Sequence, residues 1–270
     1  MFPFDSTPSS KYTLPLPKSA RRGENMNAGE LSGKLVEWIK GQVEIAGGKG
    51  VVLGLSGGAD SAVVAVLCKR AFPDNTLSIN IPCHSNPQDQ EHAKMVADTF
   101  SIPYKVIILD DLCDSFLQKL PSNKVDHAPD RLAKSNLKVR LRMITLYYHA
   151  NRLNYLVVGS GNRSELTVGY FTKWGDGGVD MMPIANLVKQ EVIELAKYLG
   201  IPQPIIDKPP SAGLWVGQTD EKEMGITYKN LDRYILTGEA DAKVKARIEA
   251  LNKGSEHKRK LPPKPPRWKL

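Results

Sequence analysis

Leu31, Leu35, Trp38, Ile39 and Val43 recur at the spacing of a helix with one apolar face. The pattern then changes. Val51–Leu55 is an unbroken apolar, largely β-branched run that ends at Ser56-Gly57-Gly58, which predicts a buried strand. Ala62–Phe72 predicts a helix stopped by Pro73. Leu77–Ile81 predicts a second strand, Gln88–Phe100 a helix after Pro87, Lys105–Leu109 a third strand and Leu112–Leu120 a short helix. A polar loop over residues 121–130 precedes a long amphipathic helix over 131–151. Tyr155–Val158 predicts a fourth strand, closed by Gly159 and Gly161. Strands alternating with helix-length segments specify βαβ units: an α/β fold whose parallel sheet carries helices on both faces. Ligands of such sheets sit at the carboxyl ends of the strands, so the loops after strands one, two and four should carry the chemistry.

The two ends break the alternation. Residues 1–29 contain Pro3, Pro8, Pro15 and Pro17 among many Ser and Thr, and predict an extended or disordered arm. That arm has no apolar core of a secretory signal, and Met26 would open a more ordinary amino terminus. Residues 30–252 form the expected domain, and 253–270 a basic tail whose Pro262, Pro263, Pro265 and Pro266 exclude a helix there. The formal net charge is +8, which in a globular chain would point to nucleic acid. Seven Lys and Arg against one Glu lie in residues 253–270, however, so +6 belongs to the tail and only +2 to the other 252 residues. Nucleic acid is therefore not an expected partner. Mean hydropathy is −0.31 and no apolar run approaches eighteen residues, so no membrane association is expected. Three cysteines without a C-x-x-C exclude a disulfide framework or zinc ribbon and fit a reducing, cytoplasmic setting.

The strongest local signal is Ser56-Gly57-Gly58-Ala59-Asp60-Ser61, directly after the first strand. Gly57 and Gly58 permit a tight turn, the following helix offers its free amides, and Ser56 and Ser61 add hydroxyls, which together make a phosphate cradle. It is neither a Walker A loop nor a G-x-G-x-x-G fingerprint. Asp60 would repel a bare phosphate, so it calls for a bridging Mg²⁺. A second corner, Gly159-Ser160-Gly161-Asn162-Arg163-Ser164-Glu165, brings Glu165 to the same sheet edge. By itself Glu165 could equally be a carboxylate that stabilises the first turn of its own helix. Gly175-Asp176-Gly177-Gly178 is too polar for a core and reads as a substrate loop.

The S-G-G-x-D-S loop resembles that of the PP-loop ATP pyrophosphatases, whose fold is Rossmann-like (adenine nucleotide alpha-hydrolase-like). Further motifs narrow the likeness. Gly169-Tyr170-Phe171-Thr172-Lys173-Trp174-Gly175-Asp176-Gly177-Gly178, Asn136 to Met143, Leu187-Val188-Lys189, Asp207 to Trp215, and Gln218 to Tyr228 are similar to ammonia-dependent NAD synthetases over about residues 30–240. The resemblance implies a ligase that amidates deamido-NAD with ammonia through an adenylated intermediate, releasing AMP and pyrophosphate. It implies ATP as co-substrate, contacted by Ser56, Gly57, Gly58, Ser61, Gln88, Ser160, Lys189 and Ser211. Mg²⁺ would be held by Asp60 and Glu165, and deamido-NAD by Asn136, Arg140, Lys173 and Asp176. Asp176 and Lys189 would be the catalytic pair, and residues 207–228 a lid. Gly161-Asn162 and the Ile81-Pro82-Cys83-His84 loop depart from the commonest family forms. A homodimer is implied, with the long helix 131–151 as interface, and the chain has no room for a glutaminase domain. Two other readings compete: a tRNA-modifying relative, which would need catalytic or cluster-binding cysteines, and a non-catalytic nucleotide-binding module, which would not need Asp60 and Glu165 together.

Overall fold

The computed structural model describes residues 27–120, 127–215 and 217–268. The arm expected over 1–29 lies outside these up to residue 26, as does the part of the polar loop from 121 to 126. Helix α1 (Ala28–Ile45) begins two residues inside the stretch read as an arm, because Asn27 caps it. The Asn27 side chain accepts from Glu30 N while Glu30 reaches back to Asn27 N, which satisfies two amides that would otherwise be orphaned.

Four strands follow: β1 (Gly50–Gly54), β2 (Thr76–Asn80), β3 (Tyr104–Val106) and β4 (Tyr155–Val158), in the spatial order β3-β2-β1-β4 with every pair parallel. This is the α/β sheet that the hydrophobic pattern specifies. The third strand is shorter than expected. Ile107 N and Leu109 N still bond to Asn80 O and Pro82 O, so the chain follows β2 past the end of the regular ladder.

Side chains of β1 alternate between two cores, as a pleated strand requires. Val51 and Leu53 join the apolar cluster under α1, α2 (Ala59–Ala71), α3 (Pro87–Thr99) and α7 (Lys189–Leu199). Val52 joins the opposite cluster, under α4 (Asp110–Gln118) and α5 (His127–Leu153), with Met143, Leu146 and Ala150. Trp38, read as part of the inner face of α1, is 41% exposed; Ile39 and Val43, four residues apart, take the core positions.

A third cluster has no counterpart among the expected elements. It joins α6 (Arg163–Val168), α10 (Tyr228–Thr237) and α11 (Ala242–Gly254) through Val168, Leu231, Tyr234, Ile235 and Ile248. Between α7 and α10 run α8 (Gln203–Ile206) and α9 (Asp220–Met224). The stretch read as a basic tail is helical and packed at its start: α11 continues through Gly254, and Glu256–Lys258 forms a 3₁₀ turn. Arg259 ties this turn down by donating to Leu166 O and Asn252 O. Prolines arrive only after Leu261, so the exclusion of helix holds for 261–268 and not before.

Gly169 ends α6 with φ of +70°, and a Cβ there would sit 2.1 Å from Ser255 Cβ. Gly169→Ala should therefore lower the melting temperature by several degrees, from left-handed strain plus overpacking of about 1–3 kcal/mol. The double variant with Ser255→Gly should recover the packing share and not the strain. Equal melting temperatures for single and double variants would contradict the close approach.

Candidate functional site

A cavity of about 930 Å³ opens at the carboxyl ends of the strands. The turn after β1 forms its floor. Gly58 is the N-cap of α2 and no side chain caps that helix, so its first amides face the cavity with the positive end of the dipole behind them. Ser61 Oγ lies 3.0 Å from both Gly58 O and Ser56 Oγ and accepts from Ser56 N at 3.2 Å, which locks the turn. Gly57 is required by packing: its φ is +80° and a Cβ there would meet Asp89 O at 2.2 Å, so only glycine lets the turn approach the start of α3 this closely.

The corner after β4 carries the second carboxylate. Asn162 caps α6 in a reciprocal box: its side chain accepts from Glu165 N at 2.9 Å and its own N–H donates to Glu165 Oε2 at 3.1 Å. The same Asn162 side chain donates to Asp60 Oδ1 at 2.9 Å. Glu165 thus stabilises the first turn of its own helix and also stands beside Asp60, across Asn162. Lys189, on the first turn of α7, pairs with Asp60 Oδ2 and lies 5.4 Å over the Tyr228 ring. Burial, then repulsion from Asp60, pushes the Glu165 carboxyl well above the usual range, with Lys189 pulling the other way. Burial disfavours the Lys189 ammonium, but Asp60 and Glu165 outweigh it and hold its pKa above that of a free lysine.

The substrate-loop residues fall into two groups. Asn136 and Asp176 line the cavity and both fix Thr172: Asn136 Oδ1 accepts from Thr172 Oγ1 at 2.8 Å and Asp176 Oδ1 from Thr172 N at 2.7 Å. Arg140 and Lys173 lie outside its wall. Arg140 donates to Lys173 O at 3.2 and 3.3 Å, and Lys173 Nζ donates to His257 O at 2.8 Å. Ser160 and Ser211 are in the wall, and Gln88 is not. Helix α3 starts at Pro87, and the 100° turn between successive residues leaves Gln88 outside the cavity wall while Asp89, half-buried, and Gln90 line it. The segment expected to be a lid arches over the cavity: Lys208 Nζ bonds Asp89 Oδ1 at 2.5 Å, Leu214 O accepts from Lys138 at 3.3 Å, and Arg131 stacks 5.0 Å over Trp215.

These features meet in the comparisons with known proteins. The profile of the NAD synthase family matches residues 31–262. The chain belongs to that family. It is 52% identical over 240 residues to the NH(3)-dependent NAD(+) synthetase of Carboxydothermus hydrogenoformans, covering 89% of this chain and 98% of that one. Among solved structures it is similar to the NMN synthetase of Francisella tularensis, with TM-score 0.83, 38% identity and coverage of 89% and 99%. The NH3-dependent NAD synthetase of Campylobacter jejuni gives TM-score 0.73 and 30% identity over 89% and 100%. The chain is accordingly a ligase that forms a C–N bond, in the ammonia-dependent branch of the NAD synthases.

Among the described residues, no group of three or more Asp, Glu, His or Cys is arranged to hold a metal, and no helix is long and apolar enough to cross a membrane. Two carboxylates beside a phosphate cradle are nevertheless the donor set that Mg²⁺ uses when substrate phosphates complete its shell. The free thiols are buried; burial, then contact with Cys113, lifts Cys83 to about 12, which suits a packing role. Four contributors carry no local sequence signal of their role. Asn162 stands in the second corner without a sign that it reaches Asp60, and Asp220 and Tyr228 stand in a motif without one. Lys258 stands among the cations of the tail, yet it lines the cavity, donating to Gly169 O at 2.8 Å and Phe171 O at 2.7 Å.

Because its carboxyl is raised in the fold, ionised Glu165 costs stability in full above the raised pKa and not at all below the ordinary one. Glu165→Gln should raise the melting temperature of the ligand-free protein at pH 8. The gain should shrink steadily as pH falls through the carboxylate range, as thermal unfolding at several pH values would record; a gain independent of pH would contradict the assignment.

Proposed function

We propose that the cavity binds ATP with Mg²⁺ beside deamido-NAD and joins ammonia to the nicotinate carboxyl. The observation that carries this reading is Asn162 holding Asp60 and Glu165 together, next to an uncapped helix N-terminus and Lys189. The α2 amides, with Ser56, Gly58 and Ser61, cradle the triphosphate, while Lys189, Ser160 and Ser211 reach it from the facing loops. Asp60 and Glu165 would hold Mg²⁺, which would neutralise phosphate charge. Lys189, paired with Asp60 in this structure, would turn its ammonium to a phosphate oxygen.

The nicotinate carboxylate attacks the α-phosphorus, and pyrophosphate leaves. Ammonia then attacks the acyl carbon, AMP leaves and one proton is lost to solvent or a nearby base. Asn136 and Asp176 hold the Thr172 turn at the reacting end, where Asp176 accepts N–H bonds from the incoming ammonia. Residues 207–215 exclude water that would hydrolyse the adenylate.

Arg140 and Lys173, outside the cavity wall, fit a deamido-NAD site completed by a second copy of the chain. Ile108, Leu112, Phe116 and Leu120 recur every four residues on and beside α4, and Ile144 and Tyr148 lie on α5, which packs against α4; all are 43–67% exposed. Such a row of apolar side chains fits the interface of a homodimer. A second reading of the substrate comes from the likeness to the Francisella NMN synthetase, with nicotinate mononucleotide in place of the dinucleotide.

Ammonium, ATP and Mg²⁺ with deamido-NAD should release one pyrophosphate per amide formed, with glutamine a poor substitute. Asp60→Asn should lower kcat by about 10²-fold or more. A kcat/KM higher for the mononucleotide would move the substrate assignment, and an undiminished Asp60→Asn would remove the metal assignment. Ile144→Glu should convert dimers to monomers in light scattering; a wild-type chain that is monomeric at micromolar concentration would dismiss the shared site.

A further inference from the structure

Helix α10 grips Lys189 at both ends of that residue. Tyr228, its first residue, lies under the ammonium, with Nζ 5.4 Å from the ring centre. Asp232, one turn on, reaches the backbone instead. Its Oδ2 accepts from Gln190 N at 2.8 Å, and its Oδ1 accepts from Ser164 Oγ at 2.5 Å. Ser164 Oγ in turn accepts from Lys189 N at 3.0 Å. Asp232 is 3% exposed and Ser164 0%, and no salt bridge joins Asp232 to a cation among the described residues.

Capping alone does not require this arrangement. Glu191 already reaches back to the N-cap amide of α7, accepting from Val188 N at 2.8 Å, and a surface carboxylate could serve the remaining amides without the cost of burial. What the buried carboxylate adds is a three-way joint. It fixes the start of α7, which carries Lys189, against Ser164, whose chain neighbour is Glu165, and it does so from the helix that supplies Tyr228. Substitution by Asn would leave an acceptor for Gln190 N but set an amide N–H against Ser164 Oγ, so the Ser164 hydroxyl loses its acceptor.

We propose that Asp232 is a positioning residue that sets the distance between the Lys189 ammonium and the Glu165 carboxylate for binding of the ATP phosphates. The inference rests on the reading of Lys189 as a phosphate ligand given above. Asp232 touches no substrate and acts through Lys189, so its effect should fall on one ligand and should vanish when Lys189 is gone.

Calorimetric titration of the full chain with ATP and Mg²⁺, and separately with deamido-NAD, provides the test in Asp232→Asn, Lys189→Met and the double variant. Asp232→Asn should weaken ATP about tenfold and leave deamido-NAD within twofold, and should add nothing in the Lys189→Met background. The same loss in both backgrounds, or an equal loss for both ligands, overturns the proposal and makes Asp232 a general anchor of α10. Unchanged ATP affinity in Lys189→Met overturns the reading of Lys189 and the proposal with it. A loss in Lys189→Met without one in Asp232→Asn overturns the proposal alone. Should circular dichroism show Asp232→Asn unfolded, Ser164→Ala, which cuts the joint while keeping the Asp232–Gln190 bond, carries the same comparison.

Discussion

Like charges crowded into one low-dielectric corner are the constraint that shapes this molecule. Burial raises the proton affinity of Glu165 and Asp220, and the charge of Asp60 beside them raises it further. Left alone, such a cluster would protonate or push its elements apart. It is held by the Lys189 ammonium, by Asn162, whose side-chain amide donates to Asp60 while its backbone N–H donates to Glu165, and by the Tyr228 hydroxyl on Asp220 at 2.9 Å. Each neutralising group comes from a different element: α7, the cap of α6, and α10. The corner therefore exists only when all three are docked on the sheet.

The sheet supplies that docking. β1 and β4 are neighbours, so their carboxyl ends lie side by side and the helices that follow them, α2 and α6, begin at nearly the same place. Two helix N-termini then face one cavity with their positive ends, which offsets part of the carboxylate repulsion and attracts phosphate. Buried apolar side chains on both faces of the sheet hold these elements in place, each contributing about 1.5–3 kcal/mol.

Much of this was legible in the residues because it is encoded locally. The strand-turn-helix at 51–61 declares itself through a β-branched run, two glycines and an acid in the first turn, and the parallel sheet follows from alternation of short apolar runs with amphipathic stretches. What was not legible depends on where distant segments meet and where a helix starts. Only the fold puts Asp89 O against the side of Gly57 where a Cβ would stand. Gln88 and Asp89 differ by one residue, and only the start of α3 at Pro87 decides which turns inward. Lys258 belongs to a run of cations that resembles a solvated tail, yet its ammonium is held by two carbonyls of the substrate loop.

The sequence by itself determined the layered α/β architecture, the family, and the two carboxylates beside the glycine turn at its centre, since short-range periodicity and ordered motifs carry each of them. Tertiary structure alone decided how those charges coexist. The partner of Lys189, the double duty of Asn162, the buried joint at Asp232 and the docking of residues 255–259 all join positions tens of residues or more apart in the chain. No local pattern specifies such pairs. They form where folding brings an unsatisfied buried charge within hydrogen-bond reach of a group that can neutralise it.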